Sequence, residues 1–171
     1  RLAGPSITVS PATLTAFSAT PSTPSATQTF NVSGSALTND ITITPPANYE
    51  ISTTDGVGFT AINPITLPQS GGTIATTPIY VRLKSGALGA YNNETINITS
   101  SGATAKTVTV SGDVVRKTIT STTSGDWNTG STWVGGIAPT SGDNVVIATG
   151  HTVSVATAIT RDTGATTTVN G

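Results

Sequence analysis

The chain has 171 residues, 9% of them charged, and a formal net charge of −1, which allows one large domain or two small ones. Its seven Lys+Arg are scattered, so it lacks both the basic field that collects nucleic-acid phosphates and the charge run of a membrane-surface patch. With no cysteine, thiol catalysis, thiolate metal sites and disulfide staples are excluded.

Roughly a fifth of the residues are threonine, and Gly, Ser, Val and Ile supply much of the rest. β-Branched side chains lose χ1 freedom in a helix and fit a pleated strand. Nowhere do apolar residues recur at helical spacing over a helix-length window. The expected class is all-β. The sequence opens on Arg1 without an apolar leader, and no stretch is long enough to span a bilayer. That fits a processed or excised piece of a secreted protein, with no membrane insertion.

In chain order, about seven alternating runs are predicted as strands: Ile7–Phe17, Thr29–Ser33, Ile41–Pro45, Tyr49–Ser52, Ile74–Lys84, Glu94–Ser100 and Lys106–Val114. In Thr29-Phe30-Asn31-Val32-Ser33, the apolar pair faces one way and the polar residues the other. Period two with one apolar face marks half-buried antiparallel strands. Pro45-Pro46, Asp55-Gly56, Gly71-Gly72 and Ser101-Gly102 fall where the chain must reverse, and Ala19–Ala26 reads as a loop. Pro5 and Pro11 bracket the first run, which predicts an edge strand. The spacing suggests an immunoglobulin-like antiparallel β-sandwich over residues 5–115.

After Val115 the texture changes. A hydroxyl-rich stretch, Thr118–Ser124, leads into both tryptophans of the chain, Trp127 and Trp133, and a boundary is expected near 115–118. Beyond it, Asn144–Ile147, Thr152–Val155 and Thr166–Val169 read as strands.

Two stretches resemble known families. Ile7-Thr8-Val9-Ser10-Pro11, Phe30-Asn31-Val32-Ser33-Gly34, Tyr49-Glu50-Ile51-Ser52, Asp55-Gly56-Val57 and Ile79-Tyr80-Val81-Arg82-Leu83 resemble the immunoglobulin-like repeats of large secreted proteins from Bacteroidetes-type bacteria. Such repeats serve as spacers, adhesin units and enzyme accessories. Residues 125–155 carry a Trp, then Thr-Trp-x-Gly-Gly, Pro, Gly-Asp-x-Val-x-Ile and Gly-x-Thr-Val. This resembles the opening of a G8-type or related right-handed β-helix domain. The resemblance implies that residues 118–171 form a short capped β-solenoid segment.

Chemistry-bearing residues are sparse. His151 is the single histidine, and the local sequence supplies neither a nucleophile nor an orienting carboxylate, so it reads as a turn-to-strand residue. The acidic residues sit singly, with no spacing that points to a glycosidase pair. Asp40, Asp55 and Asp143 could offer oxygens to calcium, but ordinary turn aspartates are the expectation. Gly71-Gly72 and Gly135-Gly136 lack the context of a phosphate loop. The sequons at Asn31, Asn93 and Asn97 read as chance triplets in a Thr/Asn-rich chain. Lys84, Lys106 and Lys117 all lie late in the chain, and no Lys–Asn cross-link is predicted. Trp127 and Trp133 have two readings. Exposed, they form a platform on which sugar rings stack; buried, they plug the start of the solenoid, and capping is the favoured account.

The function expected from the sequence is non-enzymatic: a structural or adhesive module, with no cofactor, of an extracellular or cell-surface bacterial protein, such as a filament or adhesin subunit. The alternative is a carbohydrate-binding accessory module of a secreted polysaccharide-degrading protein, acting through Trp127 and Trp133. The expected partners are neighbouring domains of a longer chain, or further copies of this one, paired through an open β edge at the C-terminal coil.

Overall fold

Alternation of β-branched and polar residues produces strands almost throughout. In the computed structural model, which describes residues 3–171, the chain is all-β, and the helical content of the described residues is one 3-10 turn at Gly130–Thr132. The chain divides into two compact units, Arg1–Val115 and Arg116–Gly171.

Among the described residues, the first unit has nine strands in two sheets. They are β1 (Ser6–Ser10), β2 (Phe17–Ala19), β3 (Gln28–Ser35), β4 (Ile41–Thr44), β5 (Tyr49–Ser52), β6 (Ile65–Leu67), β7 (Ile74–Leu83), β8 (Gly89–Thr99) and β9 (Lys106–Val114). One sheet has the order β1-β3-β7-β5 and the other β2-β9-β8-β4-β6. Pairing is antiparallel except where β2 runs parallel to β9. Both sheets feed one core: Phe30, Val32, Ile79 and Val81 come from the first, and Ile41, Ile43, Ile96, Ile98 and Val108 from the second, all at 0% exposure. The polar alternates point outward, as the period-two pattern requires.

The predicted run Ile7–Phe17 is not one strand. Pro11 has no N–H to donate to a ladder, and beyond it the chain leaves β1's sheet and joins the other as β2. β1 is an edge, as its flanking prolines suggest. Residues 65–67, which lie outside the predicted runs and between Pro64 and Pro68, pair with β4 on one side only, as an edge strand. Contact between β2 and β9 depends on Gly112. A Cβ there would stand 2.6 Å from the Phe17 carbonyl oxygen, so a larger residue would push β2 away.

The second unit is laid out differently. Its strands are β10 (Thr118–Thr120), β11 (Gly125–Asp126), β12 (Asn144–Ile147), β13 (Val153–Ser154) and β14 (Thr167–Val169). All of its ladders are parallel: β10-β12-β14 form one sheet and β11-β13 another. Its core is a separate cluster of Ile119, Trp127, Trp133 and Val145.

Candidate functional site

In the second unit, parallel register stacks equivalent positions of successive passes of the chain. Ile119 pairs with Val145, and Val145 with Thr167; Ile147 pairs with Val169. Ile119 and Val145 are buried at 3% and 0%, yet Thr167 is exposed; Ile147 is 9% exposed and Val169 65%. Burial therefore falls off along the stack, and the inward column of β14 lies open.

The opposite edge is covered at the C-terminal end of β10. Outside β10, Ser121 bridges Trp133 antiparallel, the Thr122 N–H donates to the Thr132 carbonyl (2.8 Å), and the Val134 N–H donates to the Thr120 carbonyl (2.9 Å). This segment takes up backbone groups that a bare edge would present. It also carries Trp133, which packs edge-to-face against Trp127 with ring centroids 5.2 Å apart at 76°. The Trp133 indole N–H donates to the Trp127 carbonyl at 2.8 Å, so its polar group is satisfied inside the core.

Trp127 is 4% exposed and Trp133 1%. Stacking on sugar needs an open ring face, and neither residue offers one. The tentative reading of a sugar platform at Trp127 and Trp133 is corrected accordingly: both rings are packed in the core of the second unit, where burial of their large apolar surface is most favourable.

Arg161 ties the second unit together. Its guanidinium lies 5.5 Å from the Trp127 ring centroid and donates to the carbonyls of Thr140, Asp143 and Thr166. Arg116 similarly reaches the carbonyls of Gly142 and Thr163, at 2.7 Å each. Asn144 Oδ1 accepts from both the N–H and the hydroxyl of Thr166, joining two passes. None of these contacts was legible in the sequence, because arginines meeting distant carbonyls leave no local pattern.

His151 does meet a hydroxyl: Ser121 Oγ lies 2.9 Å from its Nδ1. Ser121 is only 3% exposed, and its oxygen also accepts from the Ala148 N–H at 2.9 Å. The pair fastens the turn before His151 and presents no nucleophile to solvent. Asp143 accepts from the N–H and hydroxyl of Thr140, and Asp40 from the N–H of Gln69. These are turn-fixing roles. Among the described residues no group of three or more His, Cys, Asp or Glu converges, and no helix is long and apolar enough to cross a membrane.

No family model matches the chain, and no curated protein matches it. Among solved structures it is similar to the CooA pilin subunit from enterotoxigenic Escherichia coli. The identity is 14% and the TM-score 0.39, covering 66% of this chain and 99% of that one. A likeness of that degree fixes neither fold nor function.

Proposed function

We propose that the chain is a structural and adhesive module of an extracellular or cell-surface bacterial protein. In this reading the first unit is an immunoglobulin-like sandwich, and the second is the capped start of a β-solenoid whose open edge receives a further strand. The reading gives the chain no catalytic role. The observation that carries it is the asymmetry of the parallel stack: the Trp133 segment covers the C-terminal end of one edge, while β14 has an uncovered inward column.

A coil buries its apolar positions only against another coil or a cap. Val169 is the residue that a further coil would cover. In the intact protein that coil runs parallel to β14, as β14 runs parallel to β12. Of the two edges of the β10-β12-β14 sheet, that of β10 is partly taken by the Trp133 segment and that of β14 is free, so between separate copies of residues 1–171 the reading pairs β14 with the β14 of a second copy. A head-to-tail fibre through β10 does not fit this arrangement.

Sedimentation of residues 1–171 over a concentration series tests the reading. Concentration-dependent association is expected, and Thr167→Pro, which removes an N–H that faces away from β12, should abolish it. A monomer at high concentration whose β14 amides resist hydrogen exchange would overturn it.

A further inference from the structure

At one end of the first unit, the sheet face and three loops line a shallow polar hollow of about 670 Å³, open to solvent. Its base is set by register. Thr42 on β4 is paired with Thr66 on β6 and with Thr99 on β8, so three threonines stand in a row across adjacent strands. Their neighbours Ile41, Ile43 and Ile98 are buried, and alternation turns the threonines to the outer face. The loops add Asn39, Asp40 and Gln69, with two serines beside Thr99.

The hollow is held open by ties between its loops. The Leu37 N–H donates to the Gly72 carbonyl (2.9 Å), and the Gln69 N–H to Asp40 Oδ1 (3.0 Å). Ser100 Oγ donates to the Asn39 carbonyl (2.9 Å). Within the loop, the Gly72 N–H donates to Gln69 Oε1 (2.6 Å), which fixes that side chain and leaves its amide N–H groups unpaired. Among the described residues, the hydroxyls of Thr42, Thr66 and Thr99 have no protein partner, nor has the amide nitrogen of Asn39. Donors and acceptors thus stand side by side on a framework that need not reorganise to bind.

We infer that this hollow is a binding site for a neutral polyhydroxylated ligand, the chemistry of an uncharged glycan. A row of hydroxyls can both donate and accept, which matches the vicinal hydroxyls of a sugar ring. No lysine or arginine lines the hollow to hold phosphate or carboxylate, and Asp40 disfavours anions. No apolar side chain lines it to receive a hydrophobic ligand. A single carboxylate, one oxygen of which already accepts from a backbone N–H, gives a calcium ion little charge. The site is distinct from the tryptophans and does not rest on the proposal for the β14 edge.

The test uses amide spectra of ¹⁵N-labelled residues 1–171. They are titrated with neutral oligomers of glucose, mannose and xylose, with a galacturonate oligomer as the acidic comparator, and with calcium chloride alone. Shifts confined to residues 38–42, 66–69 and 99–101 with a neutral oligomer, and not with galacturonate, are expected. The paired Thr42→Val and Thr66→Val variant keeps the β-branched shape and deletes two hydroxyls, so affinity should fall by about tenfold or more. Its unchanged amide dispersion elsewhere would show that the fold survives. Absence of shifts with every neutral oligomer, shifts centred elsewhere, undiminished binding by the variant, or saturation by calcium alone would each overturn the inference.

Discussion

Tyr49 shows how one buried polar group ties the first unit to pH. Its ring packs edge-to-face on Phe17 at 5.5 Å, and its hydroxyl donates to the Tyr91 carbonyl at 2.8 Å. Burial raises its pKa well above the usual phenol range, and the negative charges of Glu94 and Asp113 add to the effect. The folded state therefore favours the protonated phenol, whereas the unfolded chain ionises near the ordinary value of about 10. The stability this contributes is complete below that value and is lost as pH rises above it toward the folded pKa. In urea denaturation at stepped pH, wild-type stability should fall from about pH 10 upward. Tyr49→Phe should start about 1 kcal/mol lower at neutral pH, for the lost hydrogen bond, and decline less steeply in alkali. Equal alkaline slopes for the two proteins would refute this role for Tyr49.

At the scale of elements, the Trp133 segment is the one whose loss should be felt most. It covers the end of the β10 edge and supplies half of the aromatic pair in a hydrophobic cluster centred on four buried side chains. Removing a buried Trp side chain typically costs about 3–5 kcal/mol, a large part of what a small unit can spare. Trp133→Ala should therefore unfold the second unit, with Trp127 emission shifting to that of exposed indole and β12 amides losing protection. A folded variant with Trp127 still buried would show that the segment is not a cap. The sequence made some elements legible and hid others for physical reasons. The strands β3, β4, β5, β7 and β9 were readable within a residue or two at their ends, because each has one deeply buried face and hence a clean period of two. The three-residue strands β2 and β6 were not, since so short an alternation is lost beside Pro11, Pro64 and Pro68. The threonine row was hidden as well. Thr42, Thr66 and Thr99 are far apart in the chain and meet only through strand register, which alternation alone does not fix.

For the whole molecule, the separation of the two cores decides how it should come apart. The first cluster runs from Ile7 to Val114 and draws on both sheets; the second holds Ile119, Trp127, Trp133 and Val145. No buried side chain belongs to both clusters. Both tryptophans lie in the second unit and all three tyrosines in the first, which gives each unit its own optical reporter. A unit of roughly 60 residues hides a smaller fraction of its surface than one of about 115, and is correspondingly more marginal. The second unit also leaves Val169 uncovered. Tryptophan emission should therefore shift at lower urea than the main loss of β-sheet circular dichroism. Trp emission should also show the smaller denaturant slope, because slope scales with the surface exposed on unfolding. Association through β14 should raise the first midpoint as protein concentration rises and leave the second unchanged, since only the second unit gains contacts. Thr167→Pro, which removes an outward-facing N–H of β14, should remove that concentration dependence. A single transition seen identically by both probes, with one slope, would mean that the chain unfolds as one cooperative body.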